Sequence, residues 1–166
     1  MITLPRVITR ESQSYVAIRK LVAMKEIEPA MQEAFGKLTT WIEGERVTPA
    51  GPPFVKYNVI DMENLLELEF CFPFDRVPAD IGDFQLGQLV AGEYAHIGLR
   101  GHFKHLVDVN AMLIGWARFK SLDLDMKETT AGDAFAARFE VYKTDPEKEP
   151  DPRKWESEVF IKIRDR

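Results

Sequence analysis

The sequence predicts an α+β fold. Duplicated β-α-β-β units form one antiparallel sheet, with two helices on one face and a ligand cleft at the pseudo-twofold seam. Three ordered recurrences carry that prediction. Tyr15-Val16-Ala17-Ile18 returns as Tyr94-Ala95-His96-Ile97, and Phe54-Val55-Lys56-Tyr57 returns as Phe139-Glu140-Val141-Tyr142. Leu66-Glu67-Leu68-Glu69-Phe70 is echoed by Trp155-Glu156-Ser157-Glu158-Val159. The offsets of 79, 85 and 89 residues keep their order and drift little, as in a duplicated unit. The hydrophobic period also switches between strand-like and helix-like at matching places in each copy.

Residues 12–22 alternate as a strand does, with Tyr15, Ala17 and Arg19 on one side and Val16, Ile18 and Lys20 on the other. Ile27, Met31, Phe35, Leu38 and Ile42 then recur at three- and four-residue steps, which gives an amphipathic helix. Pro29 suits its first turn, and Gly44 is placed to end it. The breaker cluster Thr48-Pro49-Ala50-Gly51-Pro52-Pro53 precedes strands at 54–60 and 65–72, joined as a hairpin by the polar turn at 61–64. The first unit thus spans about 7–73.

Pro73 to Asp83 connects the copies. Residues 85–98 form the next strand region, bent at Gly87 or Gly92. Residues 102–120 form the second helix, with Leu106, Val109, Leu113 and Trp116 on one stripe. Residues 135–142 and 155–163 supply the last strand pair, around a charged, proline-rich loop at 143–154. The second unit spans about 84–164, and residues 1–166 form a single domain, long enough to bury a core.

Strand parity puts Phe54 and Phe139 on one face, and Tyr57, Tyr142 and Glu140 on the other. The expected arrangement sets the phenylalanines against the helices and the tyrosines and the acid in a central cleft. Glu140 stands out because its repeat partner is Val55 and its neighbours are apolar. A strand glutamate is more often simply solvated, but a buried acid without partners is costly enough to need a purpose. Such a carboxylate can pair with a lipophilic cation or act as general acid or base on a bound electrophile; the sequence leaves both open. The rings of Tyr57 and Tyr142 can each hold a cation at ~0.5–2 kcal/mol. Trp116 is a candidate cap for the cleft, whereas Trp41 and Trp155 read as structural.

Other classes are disfavoured. The net charge is −5, from 22 basic and 27 acidic residues, with no basic block, so no nucleic-acid surface is advertised. Cys71 is alone and reads as a buried thiol. No signal-peptide core or membrane-length apolar run is present, and a cytoplasmic location is expected. His96, His102 and His105 match no standard metal spacing and read as surface histidines, so no metal is expected. Glu67, Glu69, Glu156 and Glu158 read as a solvated row. No phosphate loop or dinucleotide fingerprint occurs, and no cofactor is expected.

The duplication, the Gly51-Pro52-Pro53-Phe54…Tyr57 segment, and Phe139-Glu140-Val141-Tyr142 followed by Asp145-Pro146 resemble GyrI-like effector-binding domains. These are also the ligand domains of multidrug-sensing transcription regulators. The resemblance covers about Val7 to Ile163. It implies a cleft between the repeats, aromatic walls, and a functional acid in the late strand, the place Glu140 takes. The chain departs from the family at His102-Phe103-Lys104-His105, where members tend to have a Pro-Tyr pair. No room is left for a DNA-binding module, so a regulator's role is not carried over.

The expectation is a stand-alone protein that captures hydrophobic, cationic or electrophilic compounds. Its binding residues are Glu140, Tyr57, Tyr142, Trp116 and Val55. The alternatives are a hydrolase of strained electrophiles with Glu140 as its acid/base, and a gyrase-inhibitor-like module with a protein partner.

Overall fold

The computed structural model describes all 166 residues. Its strands are β1 (Arg6–Arg10), β2 (Gln13–Val22), β3 (Phe54–Ile60), β4 (Leu66–Pro73), β5 (Gln85–Leu89), β6 (Gly92–Arg100), β7 (Met126–Thr129), β8 (Gly132–Phe135), β9 (Arg138–Tyr142) and β10 (Glu156–Lys162). The helices are α1 (Ile27–Glu45) and α2 (Leu106–Phe119). The main sheet runs β1-β6-β10-β9-β3-β4-β2-β5, and the β7–β8 hairpin attaches to β3. Every pairing is antiparallel.

The order makes the duplication visible. Read outwards from the centre, β3-β4-β2 on one side mirrors β9-β10-β6 on the other. The seam is the β3–β9 pair, where Phe54 faces Val141, Val55 faces Glu140 and Lys56 faces Phe139.

Both helices cover one face of a large curled sheet. On that face α1 sets Ala30 and Ala34 with Val55, Leu68 and Phe70, and α2 sets Leu106, Val109 and Leu113 with Ile97, Val159 and Ile161. The curl packs the other face on itself, gathering Tyr15, Phe54, Cys71, Tyr94, Phe139 and Phe160. There Phe139 and Phe160 stack at 4.8 Å, with the Arg10 guanidinium above them.

One expectation is therefore corrected. The phenylalanines Phe54 and Phe139 lie away from the helices, which cover the face carrying Val55, Tyr57, Glu140 and Tyr142. The parity of the strands holds, but both faces of the seam are apolar, so parity alone does not say which face a helix covers. Other departures are local. α1 ends at Arg46, which takes the left-handed conformation (φ 54) in place of Gly44. The long strand region splits into β5 and β6 just before Gly92 (φ 140). The segment 126–135 folds into the β7–β8 hairpin.

Candidate functional site

Glu140 lies at the middle of the seam beneath the two helices and is 5% exposed. A cross-sheet row on this face reads Ile18, Phe70, Val55, Glu140, Val159 and Ile97, so it is apolar apart from the acid. A carboxylate in such a row must find donors locally.

It finds three. Tyr57 Oη donates to Glu140 Oε1 at 2.6 Å, and Tyr142 Oη donates to the same oxygen at 2.9 Å. Asn110 Nδ2, from α2, donates to Oε2 at 2.8 Å. Asn110 Nδ2 also donates to the Leu106 carbonyl at 2.8 Å, while its Oδ1 accepts from Arg138 at 3.0 Å. Arg138 lies two residues before Glu140 on the same face of β9, and its guanidinium sits over the Phe135 ring at 4.8 Å.

Burial, reinforced by the neighbouring Glu140 charge, pushes the phenols of Tyr57 and Tyr142 well above their ordinary value. Both therefore remain neutral donors at physiological pH. Burial lowers Arg138's affinity for its proton, and the Glu140 charge opposes that shift.

The tyrosine rings are half-buried over the carboxylate. Phe103, in the departing segment at 102–105, packs edge-on against Tyr142 at 5.1 Å and continues into Trp155 at 4.8 Å. Trp155 donates from Nε1 to the Glu149 carbonyl, which anchors this aromatic wall. Opposite Tyr142 on β10, Ser157 is 1% exposed and its hydroxyl has no partner. A depression of about 300 Å³ borders the Arg138 side and is lined in part by Ile114, Phe135, Asp133 and Arg138.

Of the residues singled out from sequence, the structure brings Glu140, Tyr57, Tyr142 and Val55 together. Trp116 is half-buried against the α2 core and makes no hydrogen bond to this network. Sequence reasoning missed Asn110, Arg138 and Phe103. Asn110 was readable as a polar residue on the buried side of α2, between Leu106 and Leu113. Arg138 was readable from its parity with Glu140.

The histidine expectation fails at one position. His102 and His105 are exposed, but His96 is 5% exposed, with Nε2 2.5 Å from Glu158. The glutamate row is not simply solvated either. Glu69 accepts from Tyr15 at 2.5 Å and from Asn58 at 2.9 Å, on the face away from the helices. No helix is long and apolar enough to cross a membrane.

The two pseudo-symmetric halves thus meet at a seam that holds a buried acid and two tyrosines under the two helices. The chain belongs to the GyrI-like family: residues 4–164 match the GyrI-like small molecule binding domain. No curated protein matches it in sequence. Among solved structures it is similar to SAV2435 bound to tetraphenylphosphonium, with TM-score 0.69 and 10% identity, over 98% of this chain and 94% of that one. It is similar to EcmrR in its DNA-bound transcription complex, with TM-score 0.71 and 13% identity, over 98% of this chain and 58% of that one. A hydrolase from Listeria innocua also shares the fold, with TM-score 0.62 and 16% identity, over 96% and 91% of the two chains.

Proposed function

We propose that this small-molecule-binding domain captures hydrophobic compounds bearing a cationic or electrophilic centre, and holds that centre at Glu140 between α1 and α2. The observation that carries the reading is the buried carboxylate with two phenols on one oxygen and an amide on the other. An ionised carboxylate has about four lone-pair directions, and three are filled. The remaining one, together with the faces of Tyr57 and Tyr142, suits a diffuse cation too large to be hydrated strongly. The gain is electrostatic attraction to the acid plus ~0.5–2 kcal/mol for each ring the cation covers. Both tyrosines are half-buried, so part of each side chain is reachable from solvent. Val55 supplies the apolar floor beside the acid in this reading, whereas Trp116 stays with the α2 core. The occurrence of tetraphenylphosphonium, a lipophilic cation, in SAV2435 supports the choice of ligand class.

Hydrolysis is less well supported. A base must accept a proton and pass it on, whereas three donors aimed at Glu140 suit a fixed countercharge. The test is a mass-spectrometric screen of lipophilic cations and strained electrophiles on wild type and Glu140→Gln together. Compounds that bind wild type, weaken in the variant and are never consumed support capture. A compound consumed by wild type alone replaces capture with hydrolysis. If nothing binds, a protein partner becomes the better search.

A further inference from the structure

Arg138 has no carboxylate partner of its own. One nitrogen donates to Asn110 Oδ1 at 3.0 Å, while its buried Nε has no hydrogen-bond partner. Glu140 and Asp133 act on its charge at a distance, without an ion-pair contact. Asn110 accepts from Arg138 and donates to Glu140, so a single amide bridges a guanidinium and a carboxylate two residues apart on one strand face. That bridge has two consequences. With Oδ1 committed to Arg138, the Asn110 amide can turn only its NH2 toward Glu140, which fixes the donor. The Arg138 charge is half-buried on the same face as the buried acid, so water screens the two only partly from each other.

We infer that Arg138 is a specificity-determining residue that attenuates the cation affinity of the Glu140 site and so sets which charge state of ligand it accepts. A monocation at Glu140 is attracted by the acid and repelled by Arg138. A dication feels both the attraction and the repulsion twice over, and a neutral aromatic feels neither. Arg138 thereby lowers affinity in proportion to ligand charge, and it offsets the pull of the acid most strongly for polycations such as polyamines. This inference rests on the proposed cation-binding reading of the same site.

The test compares Arg138→Gln, Arg138→Met and Arg138→Lys with wild type by calorimetric titration. The probes are tetraphenylphosphonium, the dication p-xylylenebis(triphenylphosphonium) and neutral triphenylphosphine oxide. Gln keeps a donor for Asn110 Oδ1 and removes the charge; Met keeps the apolar stem over Phe135; Lys keeps the charge. In Gln and Met the monocation is expected to bind roughly tenfold tighter, from the Coulomb energy of charges several ångströms apart at intermediate dielectric. The dication gains by a larger factor, and the neutral probe stays within about twofold. Lys is expected to remain near wild type. A purely structural role would move all three probes together. The inference is overturned if folded Gln and Met variants leave the cations unchanged, weaken them, or shift every probe alike. If neither wild type nor the Gln and Met variants bind a cation, the functional reading falls and takes the inference with it. If wild type binds and only the expected tightening is missing, the inference alone falls.

Discussion

Val55 and Glu140 face each other across the β3–β9 seam and are also the same position of the two repeats. The pseudo-twofold axis thus passes between an apolar side chain and an acid. The duplicated scaffold supplies a symmetric floor, and one substitution makes it a charged site. Two acids there would stand about 4.5–5.5 Å apart at Cβ, both cut off from water.

Val55→Glu restores the symmetry and is expected to destabilise the domain by about 3 kcal/mol or more at neutral pH. In that variant like charge and burial raise the carboxyl pKa in the folded state above the unfolded value. Its stability is therefore expected to recover on acidification and to fall as pH rises, which urea denaturation across pH 4–8 (~pH values bracketing the carboxylate range) would show. A pH-independent loss would mean the second acid escapes to solvent.

Asn110→Leu removes the bridge between α2 and the seam. Both the Glu140 carboxylate and the Arg138 guanidinium lose a partner, so the expected cost is about 1–3 kcal/mol. A double-mutant cycle with Arg138→Met should show coupling, because removing Arg138 first leaves less to orphan. Strict additivity in denaturant melts would contradict the bridge.

All four tyrosines carry raised pKa values: burial is the largest cause for Tyr15, Tyr57, Tyr94 and Tyr142, and Tyr94 is pushed up to about 12. A phenol with a higher pKa folded than unfolded adds stability that is fully present below the unfolded value of about 10 and is lost as pH rises through the folded values. Native absorbance near the tyrosinate band is expected to stay flat through that unfolded value. It should then rise together with loss of circular dichroism. Tyrosinate appearing with the fold intact would show at least one phenol to be solvated.

Much of the fold was legible because it is encoded locally and twice. The strand 54–60, the helix beginning at Ile27 and the β-α-β-β order all follow from period and breaker residues. That both helices share one face was legible, but which face of the seam strands they cover was not. Phe54 and Val55 are both apolar neighbours on one strand and both are buried, so either face could be the helix face. The β7–β8 hairpin carries exposed, polar residues with little periodic signal and is held by its pairing to β3. At the site, Glu140 and the tyrosines showed through the repeat comparison. Asn110 and Arg138 did not, because their roles exist only once α2 lies over β9. His96 misled because its partner, Glu158, lies on a strand 62 residues away.

Glu140→Gln is expected to fold. The Tyr57 and Tyr142 hydroxyls can turn to accept from the new amide, while the amide oxygen still accepts from Asn110. The variant therefore isolates charge from shape. The decisive measurement is calorimetric titration of tetraphenylphosphonium into wild type and Glu140→Gln, with triphenylphosphine oxide as the neutral control. Cation capture at Glu140 predicts saturable binding to wild type, a loss of roughly tenfold or more in the variant, as expected for a buried charge pair, and no such difference for the neutral probe. Equal cation affinity in two folded proteins would place the binding elsewhere and contradict the central role of Glu140.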